Sequence, residues 1–246
     1  MAVPAAVAAL SASALAAAPT FCVDKGNPFL PIDREVAQAV ARADHTTAHF
    51  VEIDTRDGTD ALNAHKPDFF TKLASRCDLV MGFPVETRYP NLPKGVDATV
   101  PYAATGFVLA APGTTAPGFG QLPDHSKIGV AYLTVPTTWF AAGHGTALTQ
   151  HQYSTPAELY QALEAHQVAA ALIWQPWLQD HLAQTHAAVA EHRVDLPHAN
   201  WSMVALYRPA AAQEAARFNR AIHQLAVSHK LATLIAPYRL PSGTNQ

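Results

Sequence analysis

Residues 77–84 read Cys77-Asp78-Leu79-Val80-Met81-Gly82-Phe83-Pro84. Leu79, Val80 and Met81 form an apolar run too short for a helix, and Gly82 and Pro84 stop it, so the segment reads as a buried strand. The chain before it alternates in type. Residues 67–75 put Phe69, Phe70 and Leu73 on one helical side, and 49–53 reads as a strand. Residues 33–43 carry Val36, Ala37, Val40 and Ala41 at helical spacing, with Asp33 placed as an N-cap. Residues 20–23 form a first strand, followed by the turn-rich Lys25-Gly26-Asn27-Pro28-Phe29. Strand, helix, strand, helix, strand predicts parallel pairing with helices across the sheet, and ligands in such sheets collect at the carboxyl ends of strands.

The pattern repeats downstream. Residues 106–111 read as a strand and 112–118 as a breaker-rich segment. A second unit follows, with strands at 127–132 and 169–174 and helices from about 137 and over 156–166 and 176–184. A strand over 201–207 and a helix over 210–228 return the chain. The expectation is an α/β protein of two lobes: 19–108 with 203–246, and 109–202. Two strands cross between them, near 106–111 and 201–207, and a ligand cleft lies between the lobes.

Sixteen Lys and Arg against nineteen Asp and Glu leave the 246-residue chain at a formal charge of −3. No basic run occurs, so a nucleic-acid partner, which needs clustered cations to displace counterions, is not expected. Residues 1–18 are uncharged and apolar and end in small residues, as an export signal does; a buried helix is the alternative. Two cysteines, Cys22 and Cys77, suit an exported, oxidising setting as a disulfide, with two free buried thiols the other reading.

In order, several segments resemble the family 3 extracellular solute-binding proteins of the type 2 periplasmic-binding fold. They are 77–84, Pro101-Tyr102 before Gly106-Phe107-Val108-Leu109, Lys127-Ile128-Gly129-Val130, 170–176 and Trp201-Ser202-Met203. Within that family the chain looks most like the branch associated with periplasmic quinoprotein dehydrogenases, which use pyrroloquinoline quinone. The resemblance implies hinge closure on a small-molecule ligand, a periplasmic and monomeric protein, and an ABC permease or a quinoprotein dehydrogenase as partner. It also supports another role, that of a non-transport accessory docking on the dehydrogenase and assisting its maturation.

In amino-acid-binding members an arginine clamps the α-carboxylate and an aspartate holds the ammonium. Arg88 lies one residue short of the arginine's usual spacing, and Trp174 stands in the aspartate's place. An ordinary amino acid is therefore not the expected ligand. The expected contacts are Lys25, Asn27, Phe29, Phe83, Arg88, Tyr102, Thr134, Thr137, Thr138, Trp139, Trp174 and Gln175. Flat rings with hydroxyl and helix-terminal donors suit a planar or anionic molecule, pyrroloquinoline quinone or a related organic acid among them. Thirteen histidines lack the spacing of a metal site, and no nucleophile-and-base motif occurs, so neither metal, cofactor nor catalysis is expected.

Overall fold

A computed structural model describes residues 18–56, 64, 66 and 68–241. The signal-like segment thus lies outside the described residues, apart from Ala18. In the first lobe β1 (Thr20–Asp24) pairs in parallel with β2 (His49–Ile53) and with β3 (Leu79–Glu86). Strand β10 (Asn200–Tyr207) runs antiparallel to β3, and the short β4 (Asp97–Ala98) pairs with β10. In the second lobe β6 (Lys127–Ala131) lies parallel between β7 (Thr149–Tyr153) and β8 (Ala170–Trp174).

Strand β5 (Ala103–Pro112) belongs to both sheets. Residues 103–106 pair with β10, and from Phe107 onward the strand pairs with β8 and with β9 (Val189–Arg193). The return crossing is the stretch 194–199 ahead of β10, because all of β10 pairs within the first sheet; this is earlier in the chain than the expected 201–207. The two crossings touch. Phe107 N–H donates to the Ala199 carbonyl at 2.9 Å, and a Cβ built on Gly106 would meet that same oxygen at 2.2 Å. Only glycine leaves room for this approach.

Alternation along the strands feeds two cores per lobe. In the first, Phe21, Val23, Leu79, Met81, Met203 and Ala205 face α1 (Leu30–Ala43), α6 (Ala212–Val227) and α7 (Lys230–Leu234). Val80, Val204 and Leu206 face the other way, toward α2 (Phe69–Leu73). In the second lobe Val108, Ala171 and Ile173 pack under α4 (Pro156–Glu164) and α5 (Gln175–Thr185). Leu109, Val130 and Leu172 fill the opposite face, beside α3 (Val135–Ala141). The C-terminal turn Ala236–Tyr238 ties the lobes once more. Tyr238 packs edge-on against Phe29 at 4.9 Å and donates to the Pro28 carbonyl at 3.0 Å, and two residues on, Leu240 packs against the second lobe.

The expected bridge is present: Cys22 on β1 and Cys77 ahead of β3 are disulfide-bonded, with Cα atoms 5.7 Å apart. The histidines have a backbone role. His45, His166, His186 and His229 follow α1, α4, α5 and α6 with φ near +55° to +58°, where a left-handed residue ends the helix.

Two outcomes follow from this geometry. Gly106→Ala should lower the unfolding free energy by about 1–3 kcal/mol, because backbone stands where the methyl would go; urea titration measures it. Reducing the Cys22–Cys77 bridge, which spans 55 residues of sequence, should cost about 4 kcal/mol on the chain-entropy model, read from denaturation with and without reductant.

Candidate functional site

The carboxyl end of β3 is built on a bulge. Val204 pairs with Phe83 and Leu206 with Val80, so Met81 and Gly82 together oppose the single Ala205. Gly82 adopts φ +77°, and a Cβ there would stand 2.2 Å from Asn27 Nδ2 and 2.3 Å from Asp33 Oδ2. Side chains take up its peptide groups: Gly82 N–H donates to Tyr102 Oη at 2.8 Å, and Asn27 Nδ2 donates to the Gly82 carbonyl at 2.9 Å. Asn27 Oδ1 meanwhile accepts the Phe29 N–H at 2.9 Å. Behind them Tyr102 donates to Asp33 Oδ1 at 2.5 Å.

Asp33 is fully buried and is not an N-cap, since α1 starts three residues earlier with Phe29 at its cap. Burial pushes its carboxyl up to about 7, the Tyr102 hydrogen bond pulls it back in part, and the charge of Asp24 adds to the rise. This buried set holds the bulge and aims Phe83 outward from the strand end.

Among the described residues, two cavities open between the lobes. The first, about 290 Å³, sits over the carboxyl ends of β1, β2 and β3, with Asp24, Asn27, Thr55, Phe70 and Phe83 on one side and Trp174 and Pro176 of the second lobe on the other. Its Asp24 is already engaged, accepting from Gly26 N–H at 2.8 Å and from Thr55 N–H and hydroxyl at 2.9 and 2.5 Å. Phe70 and Phe83 meet edge to face at 4.8 Å. The second cavity, about 480 Å³, lies between Glu86 and Trp201 of the first lobe and Thr138, Trp139 and His144 of the second, with His198 of the crossing beside them. Trp174 and Trp201 touch edge to face at 6.0 Å, one indole lining each cavity. Among the described residues, no Lys or Arg lines either cavity.

Of the residues expected at the ligand, Asn27, Phe83, Trp174, Thr138 and Trp139 line a cavity and the others do not. Lys25 is exposed and paired with Glu52 at 2.7 Å. Phe29 and Tyr102 are buried in the first lobe's core, where their rings pack on each other and on Tyr238 and Phe218. Arg88 is exposed on the loop after β3. The hydroxyls of Thr134 and Thr137 close the start of α3, donating to the Ala131 and Thr134 carbonyls at 2.6 and 2.5 Å. Gln175 is fully buried behind Trp174 and, with Gln179, faces Glu191, whose carboxyl burial pushes up to about 7.

Sequence reasoning missed Thr55, Phe70 and His198 as cleft residues, and did not count Glu86 among the ligand contacts. The Gly82-Phe83-Pro84-Val85-Glu86 continuation carried a signal: its alternation extends the strand past the glycine and puts Glu86 at its end. Among the described residues, no three His, Cys, Asp or Glu side chains group to hold a metal, and no helix is long and apolar enough to cross a membrane.

No protein-family model matches the chain, and no curated protein matches it. Solved structures do resemble it. Substrate-binding domain 2 of Lactococcus lactis GlnP, in an open conformation, superposes with a TM-score of 0.69 at 15% identity over 92% of this chain and 97% of that one. The L-cystine solute receptor of Neisseria gonorrhoeae, unliganded and open, gives 0.66 at 16% over 93% and 95%. The GluR0 ligand-binding core holding L-glutamate gives 0.56 at 16% over 91% and 98%. The chain has the type 2 periplasmic-binding fold: two α/β lobes, two crossing segments and a cleft.

The buried Asp33 sets a pH dependence. Its carboxyl keeps a proton up to about pH 7 when folded but only up to about 3.8 as an ordinary aspartate, so unfolding free energy falls as pH rises between those values. Asp33→Asn should flatten that part of the fall, leaving the part due to Glu191; denaturant midpoints of both proteins across the interval measure it.

Proposed function

We propose that the chain is an exported, periplasmic solute-binding protein that captures a small molecule between its lobes by hinge closure and works with an ABC permease or a quinoprotein dehydrogenase. It acts as a binding protein rather than an enzyme. The observation that carries this reading is that each cavity is walled by both lobes, so that rotation of one lobe toward the other brings both walls onto whatever lies between. The better superposition on two open receptors than on the glutamate-bound core supports reading this structure as the open form. The contact of Gly106 with Ala199 supports a pivot at the crossings, with the moving lobes divided at 106/107 and 199/200 rather than at the expected 108/109 and 202/203.

The rings of Phe83, Trp174, Trp139 and Trp201 favour a flat ligand over an ordinary amino acid. Trp174 occupies the place where amino-acid-binding kin carry an aspartate. Pyrroloquinoline quinone and simpler organic acids satisfy the flatness, but among the described residues no Lys or Arg lines the cavities to balance their charge. One feature favours the accessory role: Tyr132 and Leu133, on the loop from β6 into α3, are 59% and 83% exposed, an apolar lip that a docking partner could cover.

Small-angle scattering during tryptophan-fluorescence titration tests the reading. Saturable quenching accompanied by a smaller radius of gyration is the expected result. Saturable binding with an unchanged radius for every solute tried, together with complex formation with the dehydrogenase, would favour the accessory role.

A further inference from the structure

The second cavity carries a carboxylate that the fold leaves short of partners. Glu86 ends β3 opposite Trp201 of β10, and its side chain is 14% exposed. Among the described residues its hydrogen-bonding neighbour is a single ring nitrogen, His198 Nδ1, 2.9 Å from both oxygens. His198 is held there by its own backbone: it adopts φ +61°, and its carbonyl accepts the Trp201 indole N–H at 2.7 Å. Across the cavity, Trp139 of α3 stacks on His144 at 5.6 Å with the rings 18° apart. The wall is therefore one carboxylate between indoles contributed by the two lobes, with no Lys or Arg among the described lining residues.

Each class of ligand meets this wall differently. An anion faces Glu86 with no Lys or Arg among the described lining residues, and the nearest basic group, the His198 imidazole, is already engaged by that carboxylate. A neutral ring, as the lobes close, takes water from a carboxylate and gives it no new partner, which costs free energy. A positively charged group supplies a permanent counter-charge where Glu86 has only an imidazole beside it, and is attracted to the indole faces besides. A cavity of about 480 Å³ is of the size that holds small organic ligands.

We propose that this cavity is a subsite for an organic cation, an amine or quaternary ammonium on a flat apolar body, with Glu86 as counter-ion and Trp201 and Trp139 as walls. The inference rests on the solute-binding reading and narrows its substrate class. The cationic head sits at Glu86, and the apolar body extends past the Trp174–Trp201 contact toward the first cavity, whose lining of Phe70, Phe83 and Trp174 is apolar and aromatic.

Three probes of one shape separate the classes: 2-phenylethylamine, its trimethylammonium analogue and 3-phenylpropionate, titrated by calorimetry with scattering on the same samples. The two cations should bind saturably and the carboxylate should not compete. Glu86→Gln should weaken the cations by about tenfold or more, while Glu86→Asp, which keeps the charge, recovers part of the loss. Circular dichroism of both variants confirms that they fold. Equal cation affinity in Glu86→Gln overturns the inference, as does tighter binding of the carboxylate or no binding of any probe. Compaction by an anionic or neutral solute would then keep the solute-binding reading while removing the cation subsite, so the two ideas fail separately.

Discussion

The meeting of two crossing segments at Gly106 and Ala199 governs the rest of the molecule. At that point β5 stops pairing with β10 and starts pairing with β8, and the returning chain passes within hydrogen-bonding distance. A side chain on residue 106 would drive the crossings apart, and with them the sheets on either side. Because they touch, the lobes stand edge to edge, and the carboxyl ends of β1, β3 and β8 open into the same space. The cavities, the Trp174–Trp201 contact and the placement of Glu86 all descend from that closeness.

Much of this architecture was legible in residue order. Strands buried on both faces, such as Leu79-Val80-Met81 and Ala171-Leu172-Ile173, announce themselves as apolar runs between breakers. Three strands gave no such sign. Asp97–Ala98 is only two residues long, Thr149–Tyr153 and Val189–Arg193 are polar along most of their length, and they are strands because β10, β6 and β5 offer unpaired backbone beside them. Such pairing is a tertiary matter that local pattern does not encode. Asp33 misled for a related reason: a polar residue ahead of an apolar helical stripe looks like a cap, but Tyr102, 69 residues away, takes it into the core.

The site was readable as a composition and not as a partition. Rings near strand ends suggested a stacking cleft, and Phe83, Trp139 and Trp174 do line one. Phe29 and Tyr102 come from the same kind of turn-rich sequence, yet the helices above them claim their surfaces. The hydroxyls of Thr134 and Thr137 are spent on backbone groups at the start of α3, a role their spacing equally allowed. Glu86 was hidden most deeply, for its surroundings depend on the register of β3 against β10 and on a histidine whose backbone turns the uncommon way.

The C-terminal turn bears on how the lobes can move. Crossings that touch at one spot form something close to a ball joint, free to twist as well as to bend. Tyr238 in one lobe and Leu240 on the other add an anchor away from that spot, through a short stretch of chain. If the lobes rotate as proposed, a second point of attachment makes rotation about the line joining the two easier than any other, the swing of a door on two pins rather than a swivel.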